Sequence, residues 1–227
     1  MLCAAQAAVV LLPRRGGKPT RRGWIGIALP AAALGTGVVV IRALSGGPHA
    51  LALVAAVATP VLAAGRPKRA PLAVALWLVA WLTTGLLAQG ASVALVALAA
   101  VTVAEVAGAI APAWSLAVGL VALAVLDVVL VWGTPQVGPA TSALHHVAIP
   151  SAAGHPLPRL QDATFGDATM GWLDFAAAAL LGVVARARLR AAVVTGVSAG
   201  AWGLLLLVTS TVPATVPTLA GLLVGRL

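Results

Sequence analysis

Two carboxylates stand where carboxylates are expensive. Asp127 lies within Trp114–Gly133, an apolar run long enough to cross a bilayer, and Asp174 lies within the next long apolar run, Ala168–Ala185. An ionised acid in hydrocarbon costs about 3 kcal/mol or more, so each is a functional candidate by default. Two acids on consecutive spans have the composition of a hydrolytic pair. One ionised carboxyl takes a proton from water while a protonated partner polarises a scissile carbonyl. Close carboxyls in a poor solvent do not both ionise, so such a pair holds one proton between them. The plainer reading of either acid is a hydrogen bond to a neighbouring helix or a place on a transport path.

Asp127 is six residues before Gly133, and Asp174 six residues after Ala168. At ~1.5 Å per residue, antiparallel spans would put both acids roughly 9 Å inside the same edge of the hydrocarbon. Pro213 and Pro217 open the last apolar run at nearly that level. Prolines lack an N–H and disrupt regular helix, and irregular backbone at membrane depth is tolerated where it faces a cavity. A simple helix-start proline is the competing reading.

Other chemistry-bearing residues point elsewhere. Glu105 reads as the partner in an interhelical hydrogen bond or as a protonated buried carboxyl. His145, His146 and His155 fall in a proline-rich stretch without metal-ligand spacing, and Cys3, the one cysteine, cannot close an internal disulfide. No metal and no organic cofactor is expected. Asp162 and Asp167 precede span seven and read as solvated loop acids.

Elements that could position the pair follow from composition. The 227 residues are 61% hydrophobic and 8% charged, with a mean hydropathy of +1.07. Soluble domains carry about a quarter charged residues, so the chain reads as one all-α, polytopic membrane domain of about nine transmembrane helices. The net charge of +9 does not indicate nucleic acid, because the basic residues cluster beside apolar runs as orientation signals do. Heavy use of Ala, Val, Leu, Gly and Arg fits a GC-rich coding sequence and a bacterial-type plasma membrane.

The expected spans are Met1–Leu12, Trp24–Ile41, Ala50–Ala64, two within Pro71–Ala111 with a turn at Gln89-Gly90, then Trp114–Gly133, Ala168–Ala185, Ala191–Val208 and one from Thr211 to Arg226. Residues 1–111 hold spans one to five. Residues 112–227 hold spans six to nine and a polar loop over 134–167, in which Thr141–Ile149 reads as an interfacial piece. With the N-terminus outside and the C-terminus cytoplasmic, the cytoplasmic segments carry five, three, three and one basic residues, twelve of fourteen, leaving Arg42 and Arg159 outside. The positive-inside rule requires this asymmetry. Reading Pro71–Ala111 as one helix would destroy it.

The motifs carry a resemblance. Leu126-Asp127-Val128-Val129-Leu130-Val131-Trp132-Gly133-Thr134 resembles the Tyr-Asp segment of signal peptide peptidases and presenilins, which in the peptidases ends in an aromatic-Gly-Thr. Gly171-Trp172-Leu173-Asp174-Phe175 is similar to the family's Gly-x-Gly-Asp motif, and Pro213-Ala214-Thr215 to its Pro-Ala-Leu motif. They occur in family order across roughly the C-terminal half. Thr164-Phe165-Gly166-Asp167 is a rival for the second motif, but Asp167 precedes the apolar run. Leu126 stands where the family has Tyr, Leu173 where it has Gly, and Thr215 where it has Leu.

The resemblance implies a presenilin-like fold and a GxGD-type intramembrane aspartyl protease with Asp127 and Asp174 catalytic. Gly171, Leu173, Pro213, Ala214 and Thr215 would border the substrate. Substrates would be transmembrane helices, of type II or signal-peptide-like, cut within the lipid bilayer. The orientation matches the signal peptide peptidase branch; presenilins are inverted. Rival readings are a catalytically inactive relative acting as a membrane-binding or scaffold protein, and a proton-coupled transporter relaying through Asp127, Asp174 and Glu105. Prepilin peptidases also use a Gly-x-Gly-Asp motif, but their usual cytoplasmic aspartates do not fit acids near the outer face.

Overall fold

The computed structural model describes residues 1–13, 23–28, 48–133, 162–208 and 212–226. These residues are predominantly helical. Helix α1 covers Leu2–Leu11, α2 is described over 23–28, and α3 is Pro48–Ala64. A 3-10 turn at Pro67–Arg69 leads into α4, Ala70–Leu82, followed by α5, Gly85–Ile110, and α6, Ala113–Gly133. A hairpin of β1, Asp162–Phe165, and β2, Ala168–Gly171, precedes α7, Trp172–Val184. Then come α8, Arg188–Gly203, its 3-10 extension Leu204–Leu207, and α9, Val216–Arg226.

Two of these helices, Gly85–Ile110 and Ala113–Gly133, are long and apolar enough to cross a membrane. Helix α6 is sharply two-faced. Leu116, Ala117, Leu120, Leu123 and Ala124 are buried, whereas Trp114, Val118, Val121, Val125, Val129 and Trp132 are exposed. The exposed set recurs at three- and four-residue intervals, so it forms one continuous apolar stripe. Water would penalise such a stripe; hydrocarbon would not.

The forty-residue run from Pro71 does divide into two helices, but not at Gln89-Gly90. The break falls at Thr83 and Thr84, both extended, and Gly85 takes φ +68. That left-handed backbone suits glycine, which has no Cβ to clash. The Thr83 hydroxyl also donates to the Val79 carbonyl at 2.6 Å, ending α4. Helix continues through Gln89-Gly90, where the Gln89 Oε1 accepts the Gly166 N–H at 2.8 Å. At the next boundary Pro112 stops α5, and its carbonyl accepts from the Ser115 hydroxyl at 2.8 Å to start α6.

The helix expected from Ala168 starts later, at Trp172. Ala168–Gly171 is a strand paired antiparallel with Asp162–Phe165, in register Phe165 to Ala168 and Asp162 to Gly171. Asp162–Gly171, expected as the end of a loop and the start of a helix, is therefore a hairpin. Gly166 sits at φ +62 as the first residue of a two-residue turn, where glycine is favoured. The facing Thr164 and Thr169 hydroxyls lie 3.1 Å apart across the pair. The interfacial piece Thr141–Ile149 and most of span two, Trp24–Ile41, lie outside the described residues.

Helix α7 is the central element, packed among α1, α5 and α6. Phe175 and Leu181 on it are fully buried with Val9, Val10, Val93, Val96, Val101 and Leu116. Small residues permit the close approach. A Cβ at Gly182 would collide with the Val10 carbonyl oxygen, and one at Gly108 would stand 2.6 Å from Val183. Helix α9 lies along α8, while α3 and α4 flank α5.

The two ends of the bundle differ chemically. Glu105, near the end of α5, pairs with Arg69 at 2.9 Å and Arg66 at 3.1 Å. At the same end an Arg188 guanidinium N–H donates to the Pro13 carbonyl at 2.6 Å, and the Arg186 N–H donates to the Gly225 carbonyl. Thus Arg66, Arg69, Arg186 and Arg188 gather at one end. The hairpin, the Thr83–Thr84 break, Gly133 and the starts of α7 and α9 lie at the other.

Candidate active site

Asp127 is on α6, two turns from the hairpin end, and is half-buried. Its Oδ2 accepts two hydrogen bonds from one residue: the Thr215 hydroxyl at 2.6 Å and the Thr215 N–H at 3.3 Å. Thr215 is 3% exposed and immediately precedes α9. A threonine at that position ordinarily turns its oxygen onto its own helix. Here the Thr218 N–H donates to the Thr215 carbonyl, and the Thr215 hydroxyl donates to Asp127. The first turn of α9 also presents the positive end of the helix to this carboxylate, an attractive arrangement.

The segment before α9 is held from several sides. The Trp202 indole N–H donates to the Pro213 carbonyl at 2.8 Å, and the same indole lies 6.1 Å from the Trp132 ring on α6. Gln6 Nε2 reaches the Ala214 carbonyl at 3.4 Å. Pro213 is buried and Ala214 half-buried. The non-helical backbone expected at Pro213 is present, tied to α1, α6 and α8, whereas Pro217 lies inside the first turn of α9.

Asp174 is in the first turn of α7 and 9% exposed. Its Oδ2 accepts the Gly171 N–H at 3.1 Å, the usual way an acid at the third helical position satisfies a free donor. A Cβ at Gly171 would stand 3.3 Å from that oxygen, so glycine leaves the carboxyl its room. Asp174 lies within the field of the Asp127 carboxylate. Both acids lie at the hairpin end, on helices α6 and α7 that pack together, each engaged through Oδ2.

Leu173 is half-buried beside Asp174. Leu126 is 38% exposed and belongs to the outward apolar surface of α6. Thr215, where the resemblance would put Leu, makes a 2.6 Å hydroxyl bond to Asp127. Glu105 is far from the pair, at the arginine end, as the partner of two basic residues. Asp167 is exposed in the hairpin turn. His145, His146 and His155 lie outside the described residues, and no cluster of metal-ligating side chains occurs among the described ones.

Sequence reasoning missed Gln6 and Trp202. Gln6 had a signal, since it is the lone amide in an otherwise apolar run. Trp202 had none: its indole finds Pro213 only because α8 and α9 pack together.

The chain matches no protein-family model, no curated protein and no solved structure.

Proposed function

We propose that the protein is an intramembrane aspartyl protease of the signal peptide peptidase kind, cutting transmembrane helices with Asp127 and Asp174. The observation that carries this reading is the placement of both acids at the same end of an apolar bundle, on helices that pack together. The gathering of arginines at the opposite end supports a membrane orientation with that end cytoplasmic. In the proposed nine-span topology, type II or signal-peptide-like helices are the substrates.

The chemistry needs one proton shared by the pair. The ionised carboxyl takes a proton from water, the protonated one hydrogen-bonds the scissile carbonyl oxygen, and the water oxygen bonds to the carbonyl carbon. Collapse of that tetrahedral species breaks the C–N bond and passes a proton to the departing nitrogen. The pair returns to its single-proton state. The Thr215 bonds orient Asp127, and the Gly171 bond orients Asp174. Strand β2 runs directly into Gly171, so an extended substrate alongside it would reach the acids.

Asp127→Asn and Asp174→Asn should each abolish cleavage of a helical reporter in reconstituted membranes. The double variant should be no worse than either single one, because residues acting as a unit are non-additive. A purified Asp174→Asn protein cutting at the wild-type rate would sink the mechanism.

A second reading is a catalytically inactive relative that binds or scaffolds membrane partners. It is favoured by the fact that each acid already satisfies a backbone N–H, Gly171 for Asp174 and Thr215 for Asp127. A transporter relay through Glu105 draws no such support, because that acid is neutralised at the far end.

A further inference from the structure

Three buried oxygens lie on α1, α8 and α9, with α8 packed against both of the others. Gln6 and Thr195 are 0% exposed and Thr218 is 2% exposed. Gln6 Oε1, Thr195 Oγ1 and Thr218 Oγ1 have no hydrogen-bond partner among the described residues. Leaving a buried polar atom unsatisfied is costly, so three together call for a ligand.

The packing around them places each on a helix face turned toward its neighbours. Gln6 is on the face of α1 that meets α8: a Cβ at Gly196 would stand 3.0 Å from the Ala7 Cβ and 3.8 Å from the Cys3 carbonyl oxygen. Thr195 is the next residue of α8, and its hydroxyl occupies the place where a Gly221 Cβ would go. Thr218 precedes Gly221 by one turn on α9, which puts them on one face about 5–6 Å apart. The Gln6 amide nitrogen meanwhile holds the Ala214 carbonyl at 3.4 Å, at the start of the same helix.

The oxygen set selects the ligand. Gln6 Oε1 can only accept, which disfavours an anion, and the two hydroxyls can donate or accept. The positive end of α9 disfavours a cation. A neutral molecule with two donors and two acceptors satisfies all three atoms.

We propose that the α1–α8–α9 junction encloses a structural water bound by Gln6 Oε1, Thr195 Oγ1 and Thr218 Oγ1. By fixing the Gln6 amide, this water holds the Ala214 carbonyl and so positions the segment whose next residue, Thr215, orients Asp127. The site deepens the two-aspartate reading and rests on it only for that consequence. It exists or fails independently of cleavage.

The test uses the full chain in lipid nanodiscs. Thr195→Val and Thr218→Val keep the side-chain shape and remove one hydroxyl each. With the water present, each variant leaves other atoms unsatisfied and lowers Tm by about 3 °C or more. The double variant then falls no further than the worse single one. If each variant instead raises Tm and the rises add, the hydroxyls were simply orphaned and the proposal is overturned. Stabilisation by sodium over potassium would overturn it in favour of a cation. A high-resolution structure of the unsubstituted protein decides the case should the variants not fold. Density within hydrogen-bonding distance of at least two of the three oxygens supports the water, and side chains closing that space refute it. Asp127→Asn protein should keep both the density and the Tm pattern, which separates this proposal from the cleavage mechanism.

Discussion

Thr215→Val isolates one bond. Valine keeps the shape of threonine and the backbone N–H that meets Asp127 at 3.3 Å, but removes the hydroxyl that meets it at 2.6 Å. The lost bond is short enough to be charge-assisted, and such bonds contribute about 1.5–3 kcal/mol. Thr215 is 3% exposed, so bulk water cannot replace its hydroxyl, whereas Asp127 is half-buried and regains some solvation. That favours the lower part of the range, about 1.5–2 kcal/mol, which is roughly a ten- to thirty-fold fall in cleavage rate. The assay is single-turnover cleavage of a transmembrane reporter in reconstituted membranes. Because the hydroxyl acts through Asp127, the fall should appear in kcat while KM stays put. Thr215→Ser restores the hydroxyl and should restore most of the rate. A Thr215→Val protein as fast as wild type, or a Thr215→Ser protein as slow as Thr215→Val, would refute the assignment of that bond to the mechanism.

Two further outcomes follow from the opposite end and from the topology. Glu105→Gln should leave cleavage largely intact, since the residue is far from the acids, but should lower thermal stability. Breaking a buried ion pair costs about 3–5 kcal/mol; the Arg66 side chain is 41% exposed, and solvent screening reduces the expected loss to about 2 kcal/mol, read by thermal unfolding in detergent. With Cys3 replaced, a cysteine at exposed Asp167 should react with an impermeant thiol reagent in intact cells, and one at exposed Lys68 should be protected. The reverse pattern would overturn the proposed orientation.

The single bonds that organise the site show why much of it was not legible in the chain. Asp127 bonds a residue 88 positions away, and Gln6 a residue 208 positions away. Neither separation leaves a periodic trace. The hairpin is not legible in the sequence because Ala168–Gly171 is only four residues long and runs without a break into the apolar helix, so strand and helix read alike. The break at Thr83–Thr84 was passed over for Gln89-Gly90 because both are polar interruptions of one apolar run. Gly85, which takes the left-handed backbone that the turn needs, distinguishes them.

What the sequence alone determined is whatever depends on the local solvent preference of residues. That includes the apolar runs, the two acids stranded inside them, the irregular start of the last helix at Pro213, and the basic clusters, of which Arg66, Arg69, Arg186 and Arg188 gather at one end. Tertiary structure decided which polar groups satisfy one another. A buried hydroxyl, indole or carboxylate must find a partner, but the partner is chosen by which helix faces come together. For that reason Thr215 became the residue that holds Asp127, Gly171 the one that holds Asp174, and Glu105 a clip for two arginines at the far end of the bundle.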